Sequence, residues 1–137
     1  MNNENDTKLC KDFPLLYIDR NASAMVTCMC WGFSCGDGWF DIIYSASTKL
    51  EPLIRDWLEA NPTADYSPRA SQVKEKYGTL RFYMTASSKE MDAIISDACR
   101  ASRVTCEECG QPGETRNEGY WLYVRCDKCW EKLDNGQ

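Results

Sequence analysis

The first twelve residues, Met-Asn-Asn-Glu-Asn-Asp onward, are almost wholly polar and are expected to form a flexible, frayed N-terminus. Leu15-Leu16-Tyr17-Ile18 and Met25-Val26-Thr27-Cys28-Met29-Cys30-Trp31 then read as two strands around the turn-like Asp19-Arg20-Asn21. Cys35-Gly36-Asp37-Gly38 breaks that pattern. From there Trp39, Ile43, Ala46, Leu50, Leu53, Ile54 and Trp57 recur at steps of three and four, the stripe of an amphipathic helix that Asp37 is placed to cap. Pro52 lies inside the stripe, so the helix is expected to kink there or to restart as a second, shorter one. Asn61-Pro62 ends it.

Gln72 to Met84 alternates on both sides of Gly78-Thr79, as in a hairpin with a tight turn. That register sets Tyr77 opposite Leu80, Glu75 opposite Phe82 and Val73 opposite Met84 on one face. It leaves Lys74, Lys76, Arg81 and Tyr83 on the other, with Lys76 directly across from Arg81. Ser87-Ser88-Lys89-Glu90 has the form of a capping box, and Met91, Ile94, Ile95 and Ala98 continue as a helical stripe. Tyr120-Trp121-Leu122-Tyr123-Val124 reads as a strand, and the residues after Cys126 suit a first helical turn. The order predicts an α+β fold: a small antiparallel sheet, two amphipathic helices and a C-terminal four-cysteine zinc module. The expected divisions are 1–12, a core over 13–103, and a module over 104–137 packed on it.

Length supports one domain, since 137 residues is too short for two ordinary ones. The net charge of −5 argues against whole-surface attraction to nucleic acid or anionic lipid, and four thiolates around one zinc would take it to about −7. No apolar run approaches the roughly 18 residues of a membrane span, and the N-terminus lacks the basic and apolar regions of a secretion signal. A soluble, cytoplasmic chain is expected. Histidine is absent, which removes the commonest general base and the catalytic systems built on it.

Nine cysteines in a chain of this kind point to metal more than to disulfides. Cys106-Glu107-Glu108-Cys109 and Cys126-Asp127-Lys128-Cys129 form two CxxC pairs separated by sixteen residues, the pattern of a tetrathiolate zinc site. Two residues between cysteines let the backbone curl so that both sulfurs face one ion, and Gly110 permits the positive φ such a knuckle often needs. With every ligand a thiolate, no position is left for water, so the zinc is expected to be structural. The second pair fits either a helix start, as in a treble clef, or a second knuckle, as in a zinc ribbon. Cys28, Cys30 and Cys35 form another group, as small buried apolar residues or as part of a second metal site.

Between Arg69 and Tyr83 four cations, Arg69, Lys74, Lys76 and Arg81, stand against Glu75 alone, a reversal of charge in an acidic chain. Lysines on a strand edge guard against aggregation, and the same face with Tyr83 can meet phosphate or carboxylate groups. Trp39, Trp57, Trp121 and the other aromatics are expected mostly in the core.

Cys35-Gly36-Asp37-Gly38-Trp39, then Val73-Lys74-Glu75-Lys76-Tyr77-Gly78-Thr79-Leu80-Arg81-Phe82-Tyr83, then the paired CxxC motif resemble uncharacterised small zinc-binding proteins of tailed phages and prophages. The resemblance runs from about Trp31 to Cys129. It implies a phage accessory protein acting inside the bacterial host cell, and it supplies no catalytic residues. The expected function is non-enzymatic binding of a host protein or complex, such as a defence system. Asp37, Asp41, Glu51, Asp56, Glu59 and Asp65 on and around the first helix would meet a basic groove on the target. The alternative is nucleic-acid binding through Lys74, Lys76, Arg81, Tyr83 and Arg125, and thiol oxidoreduction stands third.

Overall fold

In the computed structural model, which describes residues 1–134, the polar N-terminus is helical rather than frayed. Asn2 accepts a hydrogen bond from the Asn5 amide at 2.8 Å and caps α1 (Asn3–Asp12), whose Leu9 is fully buried. Leu9 anchors this segment, with Met1 and Cys10 packed beside it and the Asp6 carboxylate meeting Arg20 at 3.0 Å.

Neither predicted N-terminal strand forms. Leu16 and Tyr17 are both buried, although a strand would send consecutive side chains to opposite faces. The amides of Leu15 and Leu16 instead donate to the buried carboxylate of Glu51 at 2.9 and 2.8 Å, which replaces a strand partner and leaves the stretch as consecutive turns. Further on, the Thr27 hydroxyl accepts from the Met29 amide and donates to the Ser71 carbonyl, closing a turn that runs into a 3-10 segment, Met29–Trp31. Met25, Val26 and Trp31 are left exposed.

The first strand is two residues long, β1 (Phe33–Ser34). The helix α2 (Phe40–Ala60) leads from it to β2 (Ala70–Lys76), which turns back as β3 (Thr79–Met84). Sheet order is β1-β2-β3; β2 and β3 are antiparallel as expected, but β1 pairs parallel to β2, with Phe33 beside Val73. The α2 crossover makes that parallel pairing possible. Pro52 neither splits α2 nor restarts it: the helix is continuous, and the Thr48 carbonyl that loses its usual partner belongs to an exposed residue that water can serve. Asp37 does not cap α2, whose N-cap Trp39 makes no side-chain bond. Its Oδ1 accepts from the Asn2 amide at 2.8 Å and from Asn5 Nδ2 at 3.1 Å, tying α1 to the segment before α2.

The hairpin turn is Tyr77-Gly78, one residue upstream of the predicted one, which moves each cross-strand partner by two. Lys76 pairs with Thr79, Glu75 with Leu80, Lys74 with Arg81 and Val73 with Phe82. A shift of this size preserves the faces, so Val73, Glu75, Leu80 and Phe82 still share the inner side, but Lys74, not Lys76, stands across from Arg81. Both turn residues have positive φ, 54° at Tyr77 and 73° at Gly78, as a two-residue hairpin turn requires. Glu75 holds this turn by accepting from the Gly78 amide at 2.8 Å. A tyrosine in that conformation is strained, and Tyr77→Asn is expected to raise stability by about 1 kcal/mol in urea unfolding; no gain would mean that the ring contributes as much in contacts as its backbone loses.

α3 (Lys89–Ser102) starts one residue later than the capping-box reading, with Ser88 accepting from the Met91 amide at 3.2 Å. Met91 and Ala98 are buried and Ile94 and Ile95 pack at the edge of the core. That core also holds Trp39, Ile43, Leu50, Ile54, Val73, Leu80 and Phe82, joined by Leu9, Phe13 and Leu16. The chain continues into β4 (Glu114–Glu118), β5 (Trp121–Arg125) and α4 (Asp127–Asp134), a two-stranded hairpin followed by a short helix. Among the described residues no helix is long and apolar enough to cross a membrane.

Candidate metal centre

The segment after α3 folds tightly because its amides find partners close by. Gly110 N–H donates to the Cys106 carbonyl at 2.9 Å with φ of 81° at Gly110, and Cys106 N–H donates to Gln111 at 2.7 Å. This is the expected knuckle. β4 and β5 then carry the chain back, and Cys126 stands immediately before α4 with Cys129 in its first turn. The second pair thus begins a helix, the treble-clef order rather than that of a ribbon.

These elements bring the Sγ atoms of Cys106, Cys109, Cys126 and Cys129 within 4.8 Å of one another, with Cys109 and Cys126 3.7 Å apart. Four sulfurs so grouped can hold a metal ion. Cys126 Sγ also accepts from the Cys129 amide at 3.4 Å, and this bond, the main cause, pushes the Cys126 thiol down to about 7. Burial, followed by hydrogen bonds with Cys126, Cys109 and Cys106, pushes Cys129 up to about 12.

The module is fixed to the core through the Cys35-Gly36-Asp37-Gly38-Trp39 segment. The Gly38 amide donates to the Glu107 carbonyl at 2.8 Å, the Gly36 amide to Glu107 Oε2 at 2.9 Å, and Trp39 Nε1 to the Thr105 carbonyl at 2.9 Å. A β-carbon on Gly38 would lie 2.2 Å from the Cys106 carbonyl oxygen, and one on Gly36 2.4 Å from that of Glu107. Glycine is required here by close approach of two backbones. Glu107, 9% exposed, also meets Arg125 Nη1 at 3.3 Å, and its own amide donates to Val124 at 3.0 Å, so one residue joins core, knuckle and β5. On the other side Arg116 bonds Asp127 at 2.6 Å and stacks over Trp130, which holds α4 against the hairpin.

The remaining cysteines do not assemble. Among the described residues no other group of three or more ligand side chains converges, so Cys28, Cys30 and Cys35 form no second centre. Cys35 is buried, and burial, then the Glu107 charge, pushes its thiol up to about 12; Cys28 is exposed.

The basic residues fare unequally. Arg69 is tied to Asp19 at 3.0 Å and Arg125 to Glu107 and Glu108, so neither is available to a ligand. Arg81 is half-buried with an unpartnered Nε, Lys74 is half-buried beside it, Lys76 is exposed, and Tyr83 is 44% exposed. The acidic face is likewise reduced: Glu51 is buried and Asp37 is committed to α1, leaving Asp41, Asp56, Glu59 and Asp65 exposed.

Aromatic placement differs most from expectation. Trp39 is fully buried, but Tyr120, in the β4–β5 turn, is fully exposed and Trp121, the first residue of β5, is 72% exposed. The alternation of Trp121, Tyr123 and Arg125 against Leu122 and Val124 carried a signal: only Val124 reaches the core. Comparison of the chain with protein-family models, with curated proteins and with solved structures gave no match.

Proposed function

We propose that this chain is a non-enzymatic, zinc-stabilised accessory protein of phage type that binds a host protein or complex in the bacterial cytoplasm. The observation that carries the reading is the pairing of a saturated four-sulfur centre with unpartnered aromatic side chains on the same module. Zinc suits the centre. A tetrahedron of sulfurs about 2.3 Å from the ion has edges of about 3.8 Å, close to the 3.7 Å between Cys109 and Cys126. Four thiolates leave the ion no position for water or substrate, so its contribution is structural. Exposed Tyr and Trp are the residue types that dominate binding energy at protein interfaces.

The test is capture from a bacterial lysate on the immobilised zinc-loaded chain, washed at high salt and nuclease-treated. A defined protein retained in stoichiometric amount is expected, and recovery of nothing above background would overturn the reading. The second reading, nucleic-acid binding, is favoured by the like-charged pair Lys74 and Arg81 on facing strands, whose repulsion a phosphate would relieve. In that case affinity for an oligonucleotide should fall steeply with salt, and less steeply in Lys74→Ala.

A further inference from the structure

The face of the β2–β3 hairpin turned away from the core is made of Gln72, Lys74, Lys76, Thr79, Arg81 and Tyr83, so no carboxylate stands on it. Glu75, the one acid of the hairpin, belongs to the opposite face. Lys74 and Arg81 stand directly across from each other, and the end of α3 adds a further cation. The Leu80 amide donates to Ser102 Oγ at 3.0 Å, which fixes the helix C-terminus, capped by Arg103, along the outer edge of β3 beside Arg81. Burial pushes up the thiol of Cys99, one turn back on α3, and the charges that oppose this are those of Arg81 and Arg103. Among the described residues Lys74, Arg81 and Arg103 enter no ion pair, whereas Arg20, Arg69, Arg116 and Arg125 are each held by a carboxylate. Arg81 Nε is buried without an acceptor. Lys76 lies next to Glu75 at the turn and is not counted in the site. Three cations gathered without a counter-ion repel one another, and an anion relieves that repulsion.

Two residues along both strands, about 6.6 Å away by the rise of a β-strand, the pair Gln72 and Tyr83 opens an uncharged half of the same face. A recess of about 390 Å³ lies there, lined by Met25, Val26, Cys28, Gln72 and Tyr83 among others, and none of its side chains is charged. The Thr27 hydroxyl, donating to the Ser71 carbonyl at 3.3 Å, holds the wall of this recess against β2. Met25 is 96% and Val26 75% exposed, apolar side chains that the fold itself leaves unused. An acidic protein segment that also carries an apolar residue matches both halves. A nucleic-acid strand, with a phosphate at every nucleotide, would set its phosphates beside cations on one half only.

We propose that this outer face of the hairpin docks an acidic segment of a protein partner, whose carboxylates meet Lys74, Arg81 and Arg103 while a neighbouring apolar side chain enters the recess between Met25, Val26 and Tyr83. The inference rests on the binding reading above and gives it a surface on the core, apart from the zinc module. Charge-assisted bonds to the guanidinium groups fix the position of the segment, and the apolar contact adds affinity that salt does not screen.

The experiment is selection of displayed twelve-residue peptides on the full, zinc-loaded chain, followed by anisotropy titration of the enriched sequences. Enrichment of Asp or Glu within a few residues of Leu, Ile or an aromatic is expected. Affinity should fall at least tenfold in Lys74→Glu and Arg103→Glu and several-fold in Met25→Ser. Arg103 and Met25 are exposed, so unfolding cannot explain the loss in those two. No enrichment, enriched peptides indifferent to these substitutions, or a labelled twelve-nucleotide oligo(dT) bound in dependence on Lys74 and Arg103 with no acidic peptide selected would each overturn the proposal. Lysate capture separates the two levels. A partner retained equally by Arg103→Glu and Met25→Ser removes this face and keeps the binding function, whereas selected peptides without any retained partner keep the face and remove the host-protein reading.

Discussion

Chelating the metal ion, or replacing Cys109 or Cys126 with serine, is expected to unfold residues 104–134 while the rest of the chain stays folded. The module cannot support itself. β4 has no buried residue, and of β5 only Val124 is fully buried, so the hydrophobic burial available to these residues is far below what an independent fold of this size needs. Ligation must supply the difference, and in small zinc modules it contributes on the order of 10 kcal/mol. The core has its own buried set from Leu9 to Ala98 and keeps it. It loses the Trp39 bond to Thr105 and the packing of Val124, so its melting temperature should fall without its transition disappearing. Hydrogen exchange with and without a strong chelator measures this directly. Protection lost only after about residue 103 is the expected pattern, and unchanged protection in the module would show that the four sulfurs are not its support.

Gly38→Ala is expected to lower stability by about 3 kcal/mol, an unusually large effect for adding one methyl group. Gly38 lies outside the residues with positive φ, so alanine would not strain its own backbone. The cost comes from contact: the new carbon would sit 2.2 Å from the Cys106 carbonyl oxygen and 2.6 Å from the Glu107 carbonyl carbon, and backbone cannot swing aside as a side chain can. Separation of the knuckle from the core would also sacrifice the Gly38 bond to Glu107. All four sulfurs belong to the module, so the variant should still carry one metal ion per chain but release it to a chelator faster. Urea unfolding and metal analysis on the same preparation give both readings, and parental stability would mean that the docking interface yields easily.

The spacing of the four cysteines made the metal centre legible, because the requirement for converging sulfurs is local and appears as two short motifs. The helices α2 and α3 were legible from their apolar stripes, since Ile43, Leu50 and Ile54 face the core whatever lies against them. What failed depended on distant partners. Leu15 and Leu16 look like strand residues until Glu51 supplies acceptors for their amides from 36 and 35 residues away. Asp37 looks like a helix cap until α1 arrives to take its carboxylate. The glycines of the Cys35–Trp39 segment read only as a break in the strand pattern, because a sequence records that glycine is present and not that another backbone presses on it. Trp121 reads as a core residue from its strand, yet a two-stranded hairpin with one covered face must leave alternate residues in water.

The parallel pairing of β1 with β2 has a consequence for how the molecule assembles. Phe33 and Val73 can meet only after the intervening chain has been gathered into α2, so this closure carries a large entropic penalty for a ladder of two residues. The antiparallel hairpin and the long helix are built from nearby residues and are expected to form first, creating the surface against which the two-residue strand is clamped. The knuckle then has a completed seat, because Gly36 and Gly38 follow β1 directly. The segment that closes the sheet is thus also the one that seats the four-sulfur module, so a chain in which β1 fails to pair is expected to leave those thiols open to oxidation.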